Sequence, residues 1–165
     1  MRHIALISEH AFPLDAPGSF DSGGHNVYVA QLARHLASLS NQVDVYIRRD
    51  HPEQPLLTCW LPGIRGISIA AGPAHYMRKE ALLPCMEAFG DAMQMIAARN
   101  WRDDIVHANF FMSVLAARRM RTVFGNPVRV TPVAASSGTY EPPSNLSRSA
   151  ARDENPAVVI SGGAA

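Results

Sequence analysis

Short apolar runs and segments of helical period alternate through the first 131 residues, and this alternation does more than any other feature to narrow the folds open to the chain. Ile4 to Ser8 is a compact apolar run closed by polar residues, which suits a buried parallel strand. From Asn26 to about Leu39, Val27, Ala30, Ala33, Leu36 and Leu39 recur every three residues and form one drifting helical stripe, with Gln31, Arg34 and His35 turned elsewhere. Val43 to Ile47 reads as a second strand and Ile64 to Ala71 as a weaker third. Leu82 to Ala98 carries Leu82, Met86, Phe89, Met93 and Ile96 or Ala97 on one helical face. Ile105 to Ala108 is a fourth strand and Ser113 to Thr122 a third helix, with Val114, Ala117 and Met120 toward the core; Val128 to Thr131 follows the Gly125-Asn126-Pro127 turn as a fifth strand. Strand and helix in this order imply an α/β fold with a doubly wound parallel sheet.

Near residue 131 the pattern stops. Between Pro132 and Ala165, 20 of 34 residues are Ala, Ser, Gly or Pro, too few apolar groups to offset the entropy of ordering. A disordered tail is expected over 132–165, with Val158-Val159-Ile160 the one run able to dock as a strand. The domain expected before it, 1–131, is of a size that can hold a core without metal or disulfides. Fifteen basic against 14 acidic side chains give a formal charge of +1, which removes the basic footprint of a nucleic-acid or anionic-membrane binder. Cys59 and Cys85 lie 26 positions apart with no zinc-type spacing and read as reduced thiols. The Ile4–Ile7 run is too short for a secretory segment and no stretch has transmembrane length, so a cytoplasmic protein is expected.

In an open parallel sheet, ligands gather beyond the carboxyl ends of the strands, where loops enter helix N-termini. The first such loop ends Asp21-Ser22-Gly23-Gly24-His25-Asn26 and opens into a helix, whose free N–H groups suit a phosphate. A flexible turn is the plainer alternative. There is no GxxxxGK[ST] and no GxGxxG, and Gly23 lies 15 positions beyond Ser8, so a P-loop or ordinary dinucleotide site is excluded. At the end of the fourth strand, His107 and Asn109 share a side by period-two geometry, and both could bond a sugar hydroxyl or phosphate oxygen. From the residues alone, a satisfied structural histidine is the plainer reading of His107. His-x-Asn is no metal site, no catalytic nucleophile is marked, and His3, His10, His25, His35 and His51 read as solvent-facing. Met77-Arg78-Lys79-Glu80 reads as a solvated turn.

Taken together, Gly23-Gly24-His25-Asn26-Val27-Tyr28-Val29, Gln42-Val43-Asp44-Val45-Tyr46 with Arg48-Arg49-Asp50, Gly72-Pro73, Arg78 to Pro84 and Asp104 to Ser113 resemble the N-terminal domain of the retaining, GT-B-fold glycosyltransferases of family 4, close to the sucrose-synthase and sucrose-phosphate-synthase branch. The resemblance covers roughly residues 1 to 131 and implies a Rossmann-like half of a GT-B fold. It implies transfer of a sugar from a nucleotide-sugar co-substrate to a hydroxyl acceptor, with no other cofactor and no metal. Gly23, Gly24 and Asn26 would form the loop near the donor diphosphate, and His107 and Asn109 would line the cleft. The family's Thr-Phe-His motif is absent, since Val130-Thr131 is followed by Pro132-Val133-Ala134, and no histidine follows His107. A donor-binding C-terminal domain is not present in these residues. The expectation is therefore the acceptor-side domain of a glycosyltransferase, truncated and inactive alone. Two alternatives are a binding module that takes a sugar or phosphate ligand or pairs with a separate donor half, exposing groups such as Phe110 and Phe111, and a flavodoxin-like phosphate binder.

Overall fold

Strands β1 (His3–Ile7), β2 (Gln42–Arg48), β3 (Leu57–Leu61), β4 (Ile64–Ile69), β5 (Ile105–Ala108), β6 (Val128–Val130) and β7 (Val158–Ile160) form one sheet in the order β3-β4-β2-β1-β5-β6-β7. Helices α1 (Gly24–Ser38), α2 (Met86–Asn100) and α3 (Phe111–Phe124) connect β1 to β2, β4 to β5 and β5 to β6. The computed structural model describes residues 1–10, 24–100, 103–124, 128–130 and 158–160. All neighbouring strands are parallel except β3 and β4. The expected disorder of 132–165 falls largely outside the described residues, whereas Val158–Ile160 does pair, in parallel, with β6.

Alternate residues of β1, β2 and β4 go to opposite cores, which is why both faces must be covered by helices. Ile4, Leu6, Val43, Val45, Ile47 and Ile64 pack with Val29 and Ala33 of α1 on one face. Ala5, Ile7, Tyr46, Ile67, Ile69, Val106 and Ala108 pack with Phe89 and Met93 of α2 and Ala116, Ala117 and Met120 of α3 on the other. The doubly wound reading therefore holds. Where α2 meets α3 the backbones run close: a Cβ on Gly90 would lie 3.0 Å from the Ala116 carbonyl oxygen.

The three-residue stripe expected on α1 is corrected. Val27 is 59% exposed and Leu39 60%, while Asn26, Val29, Ala30 and Ala33 are buried. Three residues turn a helix by about 300°, so a strict three-residue repeat walks off the core face, and the buried set follows the 3.6 period instead. On α3 the buried set is wider than expected, with Met112, Ser113 and Ala116 joining Ala117 and Met120. The sequence reading also missed β3. Its signal is the Pro62-Gly63 turn between two short β-type runs, with Gly63 at φ +80°, the left-handed region that glycine enters readily.

One polar group is buried in the sheet on the α2/α3 face. Arg65 donates two bonds of 2.8 Å to Asp44 in the adjacent strand, and the Tyr46 hydroxyl lies 3.4 Å from Asp103 Oδ2. Burial, then the charges of Asp103 and Asp44, push the Tyr46 phenol above its ordinary range. Burial, followed by the Asp44 charge, pushes the Asp103 carboxyl up to about 7. Asp44 breaks the alternation expected of a half-exposed strand, because β2 is central and buried on both sides.

Candidate functional site

Leaving aside the antiparallel edge strand β3, the strand order reverses its direction of growth between β1 and β5, and the helices that follow those two strands, α1 and α3, lie on opposite faces of the sheet. That switch point is where an open α/β sheet offers a crevice, and polar side chains collect there. The β1–β2 ladder runs one step past β1, with Ser8 N–H donating to the Tyr46 carbonyl at 2.9 Å and Arg48 N–H to the Glu9 carbonyl at 3.3 Å. Glu9 is 1% exposed and keeps to the α3 side of the sheet. Its Oε2 accepts a short bond from the Ser113 hydroxyl on the first turn of α3, and its Oε1 lies 3.3 Å from His10 Nδ1. The His10 ring stands edge-on to Phe110 with centroids 5.4 Å apart, and Phe110 packs on Phe111 at 4.8 Å.

From the other strand, Asn109 is fully buried and donates Nδ2–H to the Ile7 carbonyl at 2.8 Å, an oxygen that Ser113 Oγ also approaches at 3.3 Å. Its Oδ1 makes no bond of ordinary geometry, and the amide acts on His107, raising the proton affinity of that ring against the larger, opposite effect of burial. The net shift of His107 is downward, toward a neutral imidazole. His107 and Asn109 are thus brought together as the period-two spacing requires.

The last residue of β2 is Arg48, 5% exposed, whose guanidinium donates to the carbonyls of Pro73 (2.7 Å), His75 (2.7 Å) and Arg49 (3.0 Å). Burial lowers the Arg48 pKa, against the charge of Asp50. These bonds tie the Gly72–Tyr76 loop to β2. Gly72 makes the turn possible: its φ is +74° and a Cβ there would come within 2.6 Å of Cys85 Sγ. Glu9, His10, Arg48, Asp50, Tyr76 and Met77 line a pocket at this edge.

Of the other expected site residues, Gly23 lies outside the described residues. Gly24 opens α1, and Asn26 is 8% exposed with an Oδ1 that meets no hydrogen-bond donor among the described residues. Phe110 and Phe111, expected on an exposed face, are half-buried and packed against the core. Sequence reading missed Glu9, Arg48 and Ser113, and placed His10 in solvent where its side chain is 13% exposed. A charged residue directly after a buried strand was the available signal, but its burial depends on where α3 begins. Arg78, Lys79 and Glu80 are exposed, as the solvated-turn reading requires, whereas Met77 is half-buried against the core. Among the described residues Cys59 and Cys85 are unpaired, no group of three metal-ligating side chains forms, and no helix is long and apolar enough to cross a membrane.

A parallel sheet wound on both faces, with a polar crevice at its switch point, defines a Rossmann-like ligand-binding domain. The Glycosyl transferase 4-like domain matches residues 23–158, running well past the boundary at 131. D-inositol 3-phosphate glycosyltransferase of Corynebacterium diphtheriae is 36% identical over 126 residues, covering 76% of this chain and 30% of the relative. The enzyme of that name from Corynebacterium glutamicum is 34% identical over 152 residues, covering 90% of this chain and 36% of its own length. Sucrose-phosphate synthase from Thermosynechococcus elongatus superposes with a TM-score of 0.78 at 28% identity, covering 92% of this chain and 40% of that one. The chain belongs to the family 4 glycosyltransferases of GT-B fold and corresponds to their N-terminal domain. It spans about a third of the length of these curated relatives.

Proposed function

We propose that this chain is the acceptor-side domain of a nucleotide-sugar-dependent, retaining glycosyltransferase, acting with a donor-binding domain across the crevice at the carboxyl edge of its sheet. The observation that carries the reading is the collection of Glu9, His10, Asn109 and Ser113 at the switch point of a domain that matches the family over 136 residues, 23 to 158. The acceptor is a hydroxyl compound, and the names of the relatives point to a phosphorylated cyclitol or hexose. Gly23 and Gly24 would bring the donor diphosphate to the N-terminus of α1, which opens at Gly24 and where it would meet free N–H groups. Asn26 Oδ1 is an acceptor and so suits a hydroxyl of the bound nucleotide-sugar rather than a phosphate oxygen. His107 and Asn109 would face the transferred sugar, with His107 held toward its neutral form so that it can accept as well as donate. Oriented N–H dipoles would be this domain's share in stabilising the departing diphosphate. No resident cofactor or metal is required, and a cytoplasmic setting fits the nucleotide-sugar supply.

On this reading the 165 residues bind acceptor but do not complete the transfer. The purified chain is assayed with radiolabelled UDP-, ADP- and GDP-glucose and inositol 3-phosphate. The expected result is saturable binding of the acceptor by calorimetry without turnover. Turnover by the chain alone would overturn the division of labour, and absence of any acceptor binding would overturn the acceptor-side assignment.

A further inference from the structure

The Glu9 carboxylate is an expensive group to bury, and nothing in the folding of β1 requires an ionisable side chain at that position. Two structural roles are open to it. One is to anchor the first turn of α3, where the Ser113 hydroxyl bonds Oε2 and the positive end of the helix favours an anion. The second is set by the other oxygen: Oε1 lies 3.3 Å from Nδ1 of His10, which lines the pocket, and the Phe110 edge fixes the plane of that ring.

A carboxylate has only acceptors, so the Glu9–His10 bond forms only if Nδ1 carries the proton. In a neutral imidazole the proton on Nδ1 makes Nε2 the acceptor. We propose that Glu9 is a positioning residue: it holds the Nδ1 proton of His10 and so presents Nε2 in the crevice as a hydrogen-bond acceptor for a substrate hydroxyl. Ser113 locks the carboxylate, Glu9 sets the tautomer and Phe110 sets the ring plane. The hydroxyl part rests on the sugar-transfer reading; the tautomer does not.

The test is long-range proton–nitrogen NMR of the ¹⁵N-labelled 165-residue chain without ligand, at a pH where imidazoles are neutral, with the His10 signals assigned by their loss in His10→Gln. The expected result is an excess of the Nδ1–H form of about tenfold, the order of one hydrogen bond to a charged group. In Glu9→Leu the excess should vanish, and in Ser113→Ala it should fall several-fold. An anchor for α3 alone would leave the tautomer unaffected. Nε2–H as the main form in the wild-type chain overturns the proposal, as does an unchanged Nδ1–H excess in a folded Glu9→Leu. If Glu9→Leu does not fold, the wild-type and Ser113→Ala spectra decide. Because no sugar is present, a chain that shows the Nδ1–H form yet binds no inositol 3-phosphate would refute the sugar-transfer reading and leave the Glu9–His10 pair standing.

Discussion

Gly72 shows how much of the crevice hangs on a single residue. Its positive φ and its approach to Cys85 Sγ let the chain turn after β4 so that the Pro73 and His75 carbonyls reach Arg48. Gly72→Ala adds a left-handed penalty of about 1–2 kcal/mol and an overpacking cost of about 1–3 kcal/mol. Urea unfolding should therefore show a loss of roughly 2–5 kcal/mol. Adding Cys85→Ala removes the atom that the new methyl meets and should recover part of the loss, whereas Cys85→Ala on its own should recover nothing. Arg48 itself holds the loop through neutral carbonyls, and among the described residues it makes no direct ion pair.

Among the elements, β2 and the segment leading into β5 carry the polar cluster that makes stability depend on pH. Asp103 lies against Tyr46, with Asp44, Arg65 and Asp104 as the other charges acting on it. Its folded pKa of about 7 lies above the ordinary value of 3.8, so the folded state holds the proton more tightly. The stability this contributes is complete below pH 4 and is lost as pH rises through about 7. Asp103→Asn imitates the protonated form at every pH. In thermal melts the variant should match the wild-type chain near pH 4.5 and exceed it by a few degrees at pH 8. A gap that does not change with pH would contradict the burial argument. Asp44, on the same face, is held by two bonds from Arg65, which reaches across from β4.

At the scale of the molecule, the sheet does not stop at β6. Val158–Ile160 adds a seventh, parallel strand, and the family match runs to 158. Ending the chain at residue 131 leaves β6 as an edge. The expected cost is about 1 kcal/mol, or about 2–4 °C in the melting temperature of a chain of this size, measured by calorimetry against the full 165 residues. An unchanged melting temperature would mean that β7 adds nothing to the sheet's stability.

The alternation of runs and periods was enough to read α/β class, winding on both faces, most strands and all three helices, because strands buried on both sides and amphipathic helices leave local patterns. Met86, Phe89, Met93 and Ala97 are buried as a 3.6 period demands, whereas Leu82, expected on the same helix, is buried ahead of it between two 3-10 turns. The site was only partly legible. Period-two spacing puts His107 and Asn109 on one side at the end of β5, where the Asn109 amide acts on the His107 ring. Glu9, His10 and Ser113 do not, because their contact joins positions about a hundred residues apart, and which side chains meet at the switch point depends on strand order and on the entry of α3. Local sequence determined what each segment could become; the tertiary structure alone decided which polar groups would be buried together, because burial is a property of what covers a residue and not of its neighbours in the chain.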